Sequence, residues 1–396
     1  MLTSIAIILL LGLLMGWIFS KLRLPSLLGM VIVGILLSPH AFDLIDDSIL
    51  MISGELRRIA LVIILTRAGL SLDIADLKKV GRPAVCMCFI PACVEMVGII
   101  ILAPIFLGVS VLEAAIIGSV IAAVSPAVIV PRMIRLMEEG YGKEKSIPQL
   151  ILAGASVDDV FVIVVFTALT TLASTGEVSA ISLVQIPISI ILGIVIGGYV
   201  GYVMVLFFKR CHIRDSVKIL IILSVSFLLL ELESRLEGYV PVSGLLAIMS
   251  MGIVIKQKYN VLAKRLSVKY NKLWLGAEVF LFVLVGATVD LKYAMAAGVP
   301  AIGLVIGALV FRMLGVALSL RKTYLSKKER LFCMVAYTPK ATVQAAIGAI
   351  PLSMGLECGN VVLTVAVLSI LITAPFGAIC IDNSYKKLLA GPENGE

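Results

Sequence analysis

Asp158 and Asp159 stand side by side in the middle of IPQLILAGASVDDVFVIVVFTALTTLA, residues 147–173. The run is about as long as one membrane-spanning helix and contains no basic residue. A charge at bilayer depth costs about 2.5–3.5 kcal/mol on insertion scales, so two adjacent carboxylates there call for a reason. Acids also collect at helix N-termini, but here apolar sequence extends for about ten residues on either side of the pair. The chemistry that remains is a cation and proton site inside a membrane transporter. Sodium and lithium are hard cations that want oxygen ligands, which a carboxylate supplies together with hydroxyls, freed carbonyls and water. A partly desolvated carboxylate gives up neutrality reluctantly and so holds either a cation or a proton. That competition is the simplest basis for antiport. Adjacent helical residues lie about 100° apart, so the two carboxyls do not aim at one ion in the same way. The same geometry argues against an intramembrane aspartyl protease, whose carboxyls converge on one water.

The elements that must position this pair are membrane spans. The chain is 60% hydrophobic and only 15% charged, with a mean hydropathy of +1.12, which marks an all-α polytopic membrane protein. Apolar runs predict about thirteen spans, near 2–19, 24–39, 56–72, 84–108, 111–134, 147–173, 179–208, 216–233, 239–255, 273–291, 293–319, 329–354 and 359–381. The first run lacks a basic leader and a small-residue cleavage site, so we expect a retained span. Twenty-six of the 33 Lys and Arg residues lie in, or within a few residues of, the segments that follow odd-numbered spans, and four in or beside those that follow even-numbered ones. That asymmetry predicts an external N-terminus and a cytoplasmic C-terminus. The net charge of +8 therefore belongs to loops and makes no case for nucleic acid. Seven scattered cysteines and two histidines form no zinc-ligand pattern, and free thiols are expected. No serine–histidine set or phosphate loop supports an enzyme, and no cofactor is implied.

An internal repeat adds to the site. RAGLSLDIADLKKVG (67–81) aligns with VGATVDLKYAMAAG (285–298), Gly69 on Gly286 and Asp73 on Asp290, at an offset of 217. The same offset sets Glu95 opposite Arg312, and a four-residue slip sets Pro126 against Pro339. Copies seven spans apart face opposite ways across the membrane, which makes an inverted repeat. Each proline lacks an N–H and breaks its helix, tolerated at that depth only where the break is packed or lines a polar cavity. Matched breaks point to a binding site between them, with Ser125, Thr338 and Gln344 as uncharged oxygen ligands nearby. Glu95 and Arg312 are isolated charges in apolar sequence, so pairing is the default. We expect them to pair with each other as a structural link or gate, the rival being Arg312 with Asp158. Lys340, just after the break, is expected to offset the negative end of a half-helix dipole.

The runs SPAVIVP, EEGYGKEKSIPQLILAGASVDD and YTPKATVQAAIG closely resemble the sodium/proton antiporters of the NHA branch of the second cation:proton antiporter family, over roughly residues 5–380. The resemblance implies an NhaA-like fold of six-helix inverted repeats with two crossed broken helices. It also implies a homodimer working by elevator-type alternating access in the plasma membrane. The mobile part would span about 56–173 and 273–381, the scaffold about 1–39 and 179–255, with a short cytoplasmic tail from 386. The family's ion-binding aspartate corresponds to Asp159, as ligand of Na⁺ or Li⁺, and its accessory aspartate to Asp158. Electrogenic relatives carry a lysine near Arg312 that pairs with the accessory aspartate. Arginine with Glu95 matches the animal members of the branch, and arginine does not readily release a proton. The nucleotide-binding tail of potassium-efflux relatives is not expected. Rival functions are K⁺/H⁺ exchange on the same scaffold and sodium-driven symport of an organic anion.

Overall fold

The computed structural model describes residues 1–71, 81–175, 180–211, 213–236, 240, 242–289 and 291–391. Among these, all regular structure is helical: α1 Leu2–Lys21, α2 Ser26–Leu37, α3 Asp47–Met51, α4 Ser53–Ser71, α5 Arg82–Leu107, α6 Val111–Ile121, α7 Pro126–Glu138, α8 Ile147–Thr175 and α9 Ala180–Arg210. The series continues with α10 Asp215–Leu236, α11 Gly244–Lys258, α12 Asn260–Ala287, α13 Leu291–Ser319, α14 Lys327–Ala336, α15 Thr342–Ile347, α16 Ile350–Ser353 and α17 Gly359–Leu388. Each of the thirteen predicted spans coincides with one helix or with a broken set. The fifth is α6 and α7, and the twelfth is α14, α15 and α16, interrupted at 337–341 and again at 348–349. Asp73 and Asp290 of the repeat alignment lie outside the described residues.

The repeat reaches down to helix capping. α6 opens on a Ser110–Glu113 capping box and α14 on a Ser326–Glu329 capping box. In each, serine accepts from the backbone N–H three residues on while the glutamate accepts from the serine N–H, satisfying two orphan donors. These boxes sit 216 residues apart, so both broken helices start at matched places.

Residues within 1–54, 81–166 and 282–391 form one compact unit. Inside it α5 and α13 pack closely because glycines remove the side chains between them. A Cβ on Gly98 would overlap the Phe311 side chain, and one on Gly315 would come within 2.6 Å of the Pro91 backbone. An apolar core joins α7, the start of α8, α14 and α17 through Ile129, Ile151, Phe332, Tyr337 and Ile381. Residues within 55–71 and 167–281 form the second unit. There Gly193, Gly197 and Gly201 make a small-residue stripe along α9 that lies against the backbone of Ser243, Ala247 and Met251. This is how helices associate where lipid removes the hydrophobic drive.

Candidate functional site

Both breaks lie in the first unit, and they meet. The chain leaves α6 at Ala122 and enters α7 at Pro126, while Tyr337–Ala341 separates α14 from α15. The Ser125 N–H donates to the Pro339 carbonyl at 2.8 Å, one extended segment bonding directly to the other. Proline explains the partner: Pro126 and Pro339 have no N–H to give, so the contact uses a carbonyl on one side and the preceding residue's amide on the other.

The freed backbone groups of α6 are collected by two side chains. Gln344 is fully buried and donates its amide N–H₂ towards the carbonyls of Val120 and Ile121, both at 3.1 Å, and Ala123 at 2.9 Å. Arg312 Nη1 donates to the Ala122 carbonyl and Nε to that of Tyr337 at 3.4 Å. Exposed carbonyls at bilayer depth each need such a partner. Asp158 acts on the other side of the break, its Oδ2 accepting from the Val124 N–H at 2.8 Å. One amide of the broken helix thus points at a carboxylate, much as amides at a helix terminus face an anion.

Around the crossing stand four charges with no solvent exposure: Glu95 on α5, Asp158 on α8, Arg312 on α13 and Lys340 in the second break. Arg312 Nη2 meets Asp158 Oδ2 at 2.7 Å, and Nη1 lies 3.5 Å from Glu95 Oε2. Lys340 Nζ meets the same Glu95 oxygen at 2.6 Å. The expected Arg312–Glu95 pairing is therefore present only as the longer contact. Arg312 bonds to Asp158, and Glu95 takes its direct hydrogen bond from Lys340. Lys340 is correspondingly not a lone charge beside a helix dipole but one partner of a buried ion pair. The physical reason is that the second break brings Lys340 within 2.6 Å of Glu95, closer than Arg312 at 3.5 Å. Two cations balance two carboxylates, as burial of this much charge demands.

Asp159 is the exception. It is half-buried, forms no ion pair among the described residues, and its Oδ1 has no hydrogen-bond partner. Ser125 Oγ, Tyr337 OH, Thr342 Oγ1 and Gln344 Oε1 are likewise buried without partners. The Thr338 hydroxyl donates to the Val335 carbonyl at 2.8 Å and keeps its lone pairs. Unpartnered carboxylate, hydroxyl and amide oxygens are the kind of donor that hard cations take. Two residues missed in the sequence contribute. Tyr337 holds its ring 5.2 Å under the Arg312 guanidinium, and Thr373 on α17 accepts from the Lys340 N–H at 2.8 Å. An aromatic one residue before the TPK break is a signal for the first; nothing in the sequence flags the second.

Residues 5–382 match the family described as "Sodium/hydrogen exchanger, transmembrane". The chain is 33% identical over 390 residues to Sodium/hydrogen exchanger 9B2 of Mus musculus, covering 94% of this chain and 70% of that one. To Sodium/hydrogen exchanger 9B2 of Homo sapiens it is 34% identical over 389 residues, with 94% and 71% covered. Among solved structures it resembles the sodium proton antiporter MjNhaP1 from Methanocaldococcus jannaschii at pH 8, with a TM-score of 0.84, 22% identity and 97% of each chain covered. That likeness establishes the shared antiporter fold. With the family matched over nearly the whole sequence, the chain belongs to the sodium/hydrogen exchangers.

Proposed function

We propose that the protein exchanges Na⁺ or Li⁺ for H⁺ across a membrane, with cation and proton competing for the Asp159 carboxylate. One observation carries this reading: of two adjacent aspartates, Asp158 is neutralised by Arg312 and tied to the Val124 amide, whereas Asp159 forms no ion pair among the described residues. With Glu95, Asp158, Arg312 and Lys340 cancelling, Asp159 is the charge left over. A proton or a sodium ion neutralises it equally, and the bare carboxylate is the form least able to cross a low-dielectric barrier. Asp158 acts as a positioning residue that holds the first break through Val124.

Alternating access of the elevator type, in a homodimer of the plasma membrane with an external N-terminus and a cytoplasmic C-terminus, completes the proposal. Its support is the resemblance of the break sequences and the Lys/Arg asymmetry between loops.

The test is cation-induced dequenching of an imposed pH gradient in vesicles. Asp159→Asn should abolish the response to Na⁺ and Li⁺. In the native protein, competition requires the apparent KM for Na⁺ to rise as pH falls, towards tenfold per unit where the proton dominates. A KM independent of pH, or full activity in Asp159→Asn, refutes the shared carboxylate. A response to K⁺ alone would keep the mechanism and change the cargo. No response to any monovalent cation would move organic-anion symport to the front.

A further inference from the structure

One end of the second unit is built differently from the rest. The C-terminus of α9, the N-terminus of α10, the end of α11 and the start of α12 surround a pocket of about 670 Å³. Five cations line it, Lys209, Arg214, Lys218, Arg265 and Lys269, against a single carboxylate, Asp215. Asp215 is already engaged, 3.1 Å from Arg265 and 3.7 Å from Lys218. Lys218 is itself almost fully buried, with its Nζ 5.7 Å above the Phe208 ring. Lys209 rests on Tyr259 in the same way, and Lys269 donates to Ser216 Oγ at 3.2 Å. Lys209, Arg214 and Lys269 therefore face the pocket with no carboxylate among the described residues. Like charges gathered round one cavity repel, and a helix N-terminus adds positive potential to theirs.

We propose that this pocket binds a phosphate-bearing anion, supplied by the headgroup of an anionic membrane lipid. The depth fits, because the apolar stretch of α9 ends at Arg210, so the pocket lies where a span passes into the interface. The acyl chains have a surface too: Tyr202, Val203, Leu206 and Phe207 on the last turns of α9 are all exposed apolar side chains beside it. A basic pocket between spans at the Lys/Arg-rich membrane face is the arrangement that selects anionic headgroups. It uses no residue of the Asp158–Asp159 site.

The experiment measures thermal unfolding of the purified full chain in detergent with added phosphatidylglycerol, phosphatidylcholine, inorganic phosphate or glycerol 3-phosphate, and lipid retention by native mass spectrometry. The triple variant Lys209→Gln, Arg214→Gln, Lys269→Gln is compared with Arg321→Gln, Lys327→Gln, Lys328→Gln, which removes equal charge from exposed positions elsewhere. Phosphatidylglycerol should raise the midpoint well beyond phosphatidylcholine and remain bound. Its affinity should fall at least tenfold in the pocket variant and hold in the control. Arg214→Gln alone should show a smaller loss in the same direction, which covers a triple variant that does not fold. Equal effects of the two lipids, or equal loss in both triple variants, overturn the proposal. Full reproduction by inorganic phosphate overturns the lipid assignment and gives the pocket to a soluble anion.

Discussion

Replacing Arg312 by Gln tests the wiring of the buried charges. The substitution removes the 2.7 Å bond to Asp158, the 3.5 Å contact to Glu95 and the donors to the Ala122 and Tyr337 carbonyls. Removing one partner of a buried ion pair costs about 3–5 kcal/mol, because the other charge stays behind. Adding Asp158→Asn removes that stranded charge, and a hydrogen bond to a charged group is worth about 1.5–3 kcal/mol. The Arg312–Asp158 double-mutant cycle should therefore show a coupling near the top of the roughly 0.5–3 kcal/mol range for residues in one network. The Arg312–Glu95 cycle should fall near the bottom of that range. At 3.5 Å the pair is held by charge alone, and Lys340 continues to neutralise Glu95 at 2.6 Å. A Glu95–Lys340 cycle should match the first. Unfolding by SDS titration in mixed micelles gives the free energies. Additive losses at Arg312 and Asp158, or a larger coupling at Arg312–Glu95, would refute the pairing order and with it the account of which aspartate is free.

Gln344→Leu should cost about 2 kcal/mol or more in the same titration, since it removes both N–H donors that three carbonyls share, at about 1 kcal/mol or more each; a loss under about 1 kcal/mol contradicts the role given to that amide. A Cβ at Gly154 would overlap the Tyr337 hydroxyl. Gly154→Ala should then destabilise by about 1–3 kcal/mol through overpacking, and Tyr337→Phe should recover part of it; no recovery would locate the strain elsewhere. Because the proton-loaded and sodium-loaded sites carry equal charge, exchange should be one for one and insensitive to voltage. One net charge crossing would feel about 2.3 kcal/mol per 100 mV, so a potassium–valinomycin clamp that alters the rate severalfold would exclude that balance.

The spans were legible because apolar length is a strong constraint in lipid, and the alternation of basic loops checks the count residue by residue. The breaks were legible for a similar reason, since Pro126 and Pro339 are chemically unable to continue a helix through its hydrogen-bond ladder. Register between the repeats placed Glu95 opposite Arg312, yet it could not reveal that Lys340 would bond the same Glu95 oxygen more closely. Register is a property of the chain, whereas the 2.6 Å and 3.5 Å distances at Glu95 depend on how two broken segments cross. Gln344 shows the same limit in another form. As a sequence letter it offers an oxygen to a cation, but beside the end of α6 its N–H₂ group meets three carbonyls first.

The bond from Ser125 to Pro339 has a consequence for where the protein is soft. Unwound segments inside helices are ordinarily the first places to exchange amide hydrogens with water. Here the Ser125 amide is bonded to the opposite repeat and the Val124 amide to Asp158, both at 2.8 Å. These two hydrogens should be among the slowest to exchange in the molecule, and Asp158→Asn should speed Val124 more than Ser125. If the proposed exchange moves Asp159 between the two membrane faces, a crossing clasped in this way is expected to travel as a unit, with the flexing elsewhere.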